Sequence, residues 1–277
     1  MLYRRGMGDW HAWGDDTDLI FDAATDWRSR LKNVELPWLC WNVDADWSLL
    51  QQRLVLAVGW TPVVGFDPRV GPPPVLRESI LIDFNEKLRL PTLYPHFPLE
   101  FAFLFCERLA FWHSDLLIRL PQMQDIAGQF ESLQQGELAA VSSIGLRSVF
   151  FPRRQRFWEL VGCTTSGASR NQYEKGCGWW KCFFAHKNRA VNGSDRHLND
   201  YYYDHGTGIM YWKTKHGGKV LSLKEKDFQE GHFSQIKARQ YERVSQNNEF
   251  RNLNLDLRHN FDLVACAQKM GLESLLD

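Results

Sequence analysis

One polar triplet in the chain follows an apolar run and carries two side chains that could bind a metal ion. The run Leu109–Trp112 has the length of a buried strand, and His113, Ser114 and Asp115 come directly after it. In an extended segment His113 and Asp115 point the same way, because side chains alternate with a period of two residues. An imidazole and a carboxylate so placed can hold a divalent cation, which can bridge the oxygens of a diphosphate.

A second segment of interest combines ionisable, glycine and aromatic residues. Residues 173–180 read YEKGCGWW, where the two glycines permit close approach of the backbone to a ligand. Trp179 and Trp180 offer flat faces on which a sugar ring could stack, and Glu174 offers a carboxylate. These residue types indicate a carbohydrate-binding surface.

A third segment, residues 201–212 (YYYDHGTGIMYW), places Asp204 and His205 just before a glycine-bounded turn. Side chains at such turns often project into a cleft. A carboxylate that takes the proton from an attacking hydroxyl group is the natural base for group transfer to an alcohol. Asp204 is the first candidate for this base and Glu174 the second.

Several other catalytic patterns are missing from the sequence. It contains no Gly-x-Ser-x-Gly elbow, no Gly-x-x-x-x-Gly-Lys loop and no Gly-x-Gly-x-x-Gly fingerprint after a strand. The six cysteines include no Cys-x-x-Cys pair, which argues against a zinc ribbon and favours reduced thiols. Without the Gly-x-Ser-x-Gly elbow, the sequence does not support serine-hydrolase chemistry.

The polar triplet lies within an alternation of short apolar strands and helices. The predicted strands are 38–43, 62–66, 80–84, 109–112 and 138–141. The first helix is predicted to begin at a capping pair, Ser48 and Gln51, and to end at Gly59, and a second helix opens at Pro121. This order predicts an α/β fold with a mostly parallel central sheet flanked by helices.

Charge and hydropathy limit the partners and the location. Lys plus Arg equals Asp plus Glu at 33 each, so the chain lacks the positive charge of a dedicated nucleic-acid binder. Met1–Gly14 has no signal-like apolar core, and charges interrupt the most hydrophobic run, Phe97–Ile118. We expect no nucleic-acid partner, no transmembrane segment and a cytoplasmic protein, with peripheral attachment to a membrane left open.

Residues 110–121, AFWHSDLLIRLP, resemble the Asp-x-Asp element of glycosyltransferases of the GT-A type. That element ends a strand within apolar residues and is followed by a proline and an amphipathic helix. The resemblance covers about residues 36–141 in element order, and His113 stands where the family has its first aspartate. It implies a GT-A-like, Rossmann-related fold and transfer of a sugar from a nucleotide-sugar donor to a glycan, a lipid-linked acceptor or another hydroxyl group.

The resemblance also implies roles for individual residues. His113 and Asp115 would hold Mn²⁺ or Mg²⁺, and His232 would match the histidine that many GT-A enzymes supply as a third ligand. Because His113 replaces an aspartate, a site that manages the diphosphate without a metal is the alternative. The implied nucleotide and donor contacts are Asn42, Asp67, Trp112, His113 and Asp115. The implied acceptor contacts are Trp179, Trp180 and His205.

In this interpretation the chain forms one GT-A-like domain over residues 1–277. We expect an irregular arm at 1–35, a nucleotide-binding half at 36–145, an acceptor-side half at 146–235 and a helical tail at 236–277. Two other functions remain open at this stage. One is a carbohydrate-binding protein without turnover, and the other is a glycoside hydrolase that uses Glu174 and Asp204 as its two carboxylates.

Overall fold

The residues that the structure describes fold around one sheet of seven strands. The computed structural model describes residues 17–89, 93, 95–143, 156–179, 206–233 and 261–276. The strands are β1 (Pro37–Asn42), β2 (Thr61–Phe66), β3 (Ile80–Leu81), β4 (Arg108–Trp112), β5 (Glu137–Ser143), β6 (Arg156–Thr165) and β7 (Lys219–Lys224). Their order is β3-β2-β1-β4-β6-β5-β7. Six strands run parallel, and β6 runs antiparallel to both of its neighbours, β4 and β5.

Helices connect the strands and cover the sheet. They are α1 (Thr17–Arg30), α2 (Ala45–Ala57), α3 (His96–Glu100), α4 (Leu120–Glu131), α5 (Ser166–Glu174), α6 (Thr207–His216) and α7 (Leu263–Met270). Short 3₁₀ turns lie at Ala102–Leu104, Glu225–Asp227 and Glu273–Leu275. Among the residues that the structure describes, none of the helices combines the length and the hydropathy needed to cross a membrane.

Both faces of the sheet are buried. On β1, Leu39 and Trp41 join a core with α1, α3, α5 and α6, whereas Trp38 and Cys40 join a second core with α2, α4 and α7. A strand covered on both faces is apolar along its whole length, which explains the uninterrupted apolar run in the sequence. The predicted α/β architecture with a mostly parallel, helix-flanked sheet is confirmed.

Two local predictions are wrong. Thr17–Arg30 is a helix and not part of an irregular arm, because Ile20, Ala24 and Trp27 make one apolar face that is buried in the core that also contains Leu39 and Trp41 of β1. The helix α2 begins at Ala45, since the Asp44 side chain accepts hydrogen bonds from the amides of Asp46 and Trp47. The predicted capping pair lies inside that helix.

The carboxyl ends of the parallel strands meet at one edge of the sheet, here called the carboxyl edge. The chain passes from β1 to β2 and β3 on one side and then places β4 on the other side of β1. In open α/β sheets a crevice forms where the strand order reverses in this way, and ligands bind there. Because β6 is antiparallel, it brings its first residues, and not its last ones, to the same edge.

Candidate functional site

Three side chains that could hold a metal ion converge at the carboxyl edge beside β4. We call His113, Asp115 and His232 the His-Asp-His cluster. One donor atom from each residue lies within 4.8 Å of the others. The Oδ1 atom of Asp115 is 3.6 Å from Nδ1 of His113 and 3.4 Å from Nε2 of His232. The side chain of His113 is 27% exposed and that of Asp115 is 13% exposed, so a ligand can reach the cluster from solvent.

The loop that carries His113 and Asp115 is held by its backbone. The amide of His113 donates to the carbonyl of Leu160 on β6 and extends the β4–β6 pairing by one residue. The buried side chain of Gln51, on α2, donates from Nε2 to the carbonyls of His113 and Leu116, at 2.9 Å each. The carbonyl of His113 also accepts from the amide of Leu116 within the turn, whereas the donor to the carbonyl of Leu116 is Gln51.

His232 arrives from the segment after β7. Its neighbours clamp it to the loop: the amide of Leu117 donates to the carbonyl of Gly231, and the amide of Phe233 donates to the carbonyl of Asp115. At Gly231 the backbones approach so closely that a β-carbon would overlap the Leu117 carbonyl oxygen. The predicted third ligand, His232, therefore does lie beside Asp115.

A fourth ionisable residue, Glu159 on β6, adjoins the cluster. Its Oε1 atom lies 3.5 Å from Nε2 of His113 and 2.8 Å from Nε2 of His96 on α3. Both Glu159 and His96 are buried. Sequence reasoning missed these two residues, because neither lies at the end of a parallel strand or in a recognisable motif.

Electrostatic pairing dominates the ionisation of the cluster. Burial alone would lower the pKa of His113, but the carboxylates of Asp115 and Glu159 outweigh burial and raise this pKa to about 10. Burial would raise the pKa of Asp115, but His113 and His232 hold that pKa well below its ordinary value. At neutral pH the cluster therefore contains an ionised Asp115 and an imidazolium at His113 whose proton a bound cation would replace.

The composition of the cluster fits a divalent transition metal. Ligand bonds of about 2.1 Å set neighbouring ligand atoms about 3.0–3.4 Å apart, close to the spacings from Asp115 to the two histidines. Two imidazoles and one carboxylate suit ions such as Mn²⁺, Fe²⁺ or Zn²⁺ better than Mg²⁺, which prefers oxygen ligands. Of the two metals expected from the sequence, Mn²⁺ is the better match.

The other predicted donor contacts have varied surroundings. Asn42 ends β1 and donates from Nδ2 to the carbonyl of Gly71, while its buried Oδ1 has no hydrogen-bond partner among the described residues. Asp67 follows β2 and is buried in a bidentate ion pair with Arg69. Trp112 is buried with its ring centroid 5.3 Å from that of Trp38, so it contributes to the core and not to an open surface.

Of the residues predicted to bind the acceptor or to act as its base, the structure describes Trp179 and Glu174. Trp179 is 1% exposed and packs edge-on against Phe111, so its ring has no free face for a sugar. Glu174 is exposed at the end of α5, and among the described residues it makes no hydrogen bond or ion pair with the His-Asp-His cluster. The remaining predicted residues lie outside the described part of the chain: Trp180, Asp204 and His205.

Comparison with known proteins does not indicate a function for this chain, so the function has to be inferred from the site itself. Searches of the chain against protein-family models, curated proteins and solved structures find no significant match.

Proposed function

We propose that this protein is a metal-dependent, GT-A-like glycosyltransferase that uses a nucleotide-sugar donor. One observation carries the proposal: His113, Asp115 and His232, from two distant parts of the chain, converge at the carboxyl edge where the strand order reverses. The resemblance at residues 110–121 implies a metal-binding pair at this point, and His232 completes a ligand set that suits a divalent cation.

The position of the cluster supports a diphosphate ligand. It lies beside the crevice between β1 and β4, which is where open α/β sheets bind nucleotides. Asn42 ends β1 at this crevice, and its buried Oδ1 atom could accept a hydrogen bond from the nucleotide. The donor would then extend from Asn42 toward the His-Asp-His cluster with its diphosphate over the cluster.

The chemistry of sugar transfer accounts for a cation at this point. The departing nucleoside diphosphate gains negative charge as the bond to the sugar breaks, and a bound divalent cation offsets that charge. Asp115 would contribute the carboxylate that holds the cation, and the partly exposed side chain of His113 would leave room for phosphate oxygens. Asp204 and Glu174 stay the predicted candidates for the acceptor's base.

Ligand-dependent thermal stability tests this proposal. The melting temperature is measured with uridine, guanosine, cytidine and thymidine diphosphates and their sugars, with and without Mn²⁺. At a hundredfold excess over Kd a ligand adds about 2.7 kcal/mol to the free energy of unfolding, which raises the melting temperature by several degrees. We expect such a rise with one nucleotide, a larger rise with Mn²⁺, and release of free nucleoside diphosphate when an acceptor is supplied.

Two aspartate variants make the test specific. Asp115→Asn keeps the side-chain size but removes the charge, and should abolish the Mn²⁺-dependent part of the rise. Asp125→Asn, an exposed position on α4, serves as the matched control and should behave like the wild type. A rise with a nucleotide that is equal with and without Mn²⁺ would replace the metal-dependent mechanism with one based on the His113 imidazolium. No rise with any nucleotide would overturn the transferase proposal and favour glycan binding without turnover.

A further inference from the structure

Glu159 occupies an unusual position for an ionisable residue. It lies on β6 among core residues such as Phe157, Leu160 and Val161, and it is 8% exposed. An ionised carboxylate in such surroundings is costly unless partners compensate its charge. Its Oε1 atom faces two histidines, His96 at 2.8 Å and His113 at 3.5 Å.

The backbone of β6 is irregular at this residue. On β5, the neighbours Ala140 and Val141 pair with Gly162 and Trp158 of β6. The three β6 residues between them, which include Glu159, have no partner in that register. Bulges of this kind turn side chains to new directions and are frequent beside functional sites. Here the bulge lies next to His113, whose amide bonds to Leu160.

The two ring nitrogens of His113 face different carboxylates. Nδ1 faces Asp115, inside the His-Asp-His cluster, and Nε2 faces Glu159, outside it. A histidine that binds a metal through one nitrogen commonly gives its other N–H to a carboxylate, which fixes the tautomer and the ring orientation. We propose that Glu159, itself held by His96, is the positioning residue that presents Nδ1 of His113 to a divalent cation.

This inference rests on the metal site of the proposed function and adds residues to it. Glu159 does not bind the cation: it orients a ligand and increases that ligand's electron density. The rival explanation is that Glu159 merely forms a buried ion pair with His96. The two explanations differ in what they predict for metal affinity, because a purely structural pair affects stability without changing the preference of His113 for a metal.

Titration of the purified protein with Mn²⁺ separates these explanations. The Kd is measured calorimetrically at a temperature where each variant is folded, as judged by circular dichroism. Glu159→Gln should weaken Mn²⁺ binding by about 10- to 100-fold. The control, Glu100→Gln, makes the same substitution at a buried glutamate that accepts the Trp179 amide, and it should leave the Kd within about twofold. If Glu159→Gln does not fold, Glu159→Asp keeps the charge but withdraws it from His113, and it should weaken binding at least threefold.

The absorption spectrum of bound Co²⁺ provides a second readout that stability alone does not change. At saturating Co²⁺ we expect altered visible bands in Glu159→Gln and unaltered bands in Glu100→Gln. An unchanged Kd and an unchanged spectrum in Glu159→Gln would overturn the positioning role and leave the metal site intact. Failure of the wild-type protein to bind Mn²⁺ or Co²⁺ would overturn the metal site and the role of Glu159 together.

Discussion

The Nε2 atom of His232 lies 3.4 Å from the Oδ1 atom of Asp115, although β5, β6 and β7 separate the two residues in the chain. Main-chain hydrogen bonds hold the two segments together on either side of this contact, one between Leu117 and Gly231 and one between Phe233 and Asp115. The separation of these two side chains is therefore fixed chiefly by the backbone. The backbone of His113 is held as well, by the bond from its amide to Leu160, and its two ring nitrogens face the side chains of Asp115 and Glu159.

Gly231 should be intolerant of a side chain. In Gly231→Ala the β-carbon would overlap the carbonyl oxygen of Leu117, so the segment must move away from the loop and take His232 with it. We expect a loss of about 1–3 kcal/mol in the free energy of unfolding and Mn²⁺ binding weakened at least about tenfold. Urea denaturation and calorimetric titration measure the two effects.

Gly128→Ala is the matched control for that substitution. Gly128 lies on α4, and a β-carbon there meets no atom within 4 Å. Alanine in a helix interior stabilises a protein by about 0.5–1 kcal/mol relative to glycine. Normal stability and normal Mn²⁺ affinity in Gly231→Ala would refute the backbone clamp.

Gln51→Met should loosen the loop that carries the cluster. The substitution keeps the length of the side chain but removes the donor that serves the carbonyls of His113 and Leu116. The carbonyl of His113 keeps the amide of Leu116, but leaving the buried carbonyl of Leu116 unpaired costs about 1–3 kcal/mol, which urea denaturation will report. Gln124→Met, at an exposed position on α4, should change the stability by less than about 0.5 kcal/mol. Equal effects of the two substitutions would count against the role of Gln51.

Two cysteines should resist alkylation in the folded protein. Burial raises the pKa of Cys40 to about 12, with a smaller opposing effect of Trp112, and burial likewise raises the pKa of Cys163 to about 12. The thiolate is the reactive form, and its fraction at pH 8 is therefore about 10⁻⁴ for each of them. We expect no labelling of Cys40 or Cys163 by N-ethylmaleimide at pH 8, and full labelling in urea.

Peptide mass spectrometry after a short exposure to the reagent measures that labelling. The urea-treated sample is the control for the intrinsic reactivity of each thiol. Labelling of native Cys40 at the unfolded rate would show that its strand opens readily, contrary to its full burial on β1.

Much of the sheet could be predicted because its signals are local. The apolar run before His113 predicts β4, and Pro121 predicts α4, which begins at Leu120. The helix α1 was also readable in principle, since Ile20, Ala24 and Trp27 recur at helical spacing. The segment is also rich in aspartate and tryptophan, and this composition led to the prediction of an irregular arm.

The rest of the site depends on contacts that no local pattern encodes. Glu159 reaches the cluster because β6 runs antiparallel beside β4 and bulges there, and strand direction is a property of the whole sheet. Trp179, in contrast, was predicted to be part of the site and lies in the core. A glycine-tryptophan pair resembles a sugar platform in the sequence, but the amide of Trp179 bonds to Glu100 and its ring fills the core against Phe111.

The last strand, β7, lies at one end of the sheet, and among the described residues it pairs with β5 alone. His232 follows shortly after β7, so we expect local opening of the edge strand to loosen the Gly231 segment as well. Edge elements open at a lower free energy than the centre of a sheet. If the two openings are coupled in this way, a cation bound at the cluster will slow the exchange of the amide hydrogens of β7 with solvent.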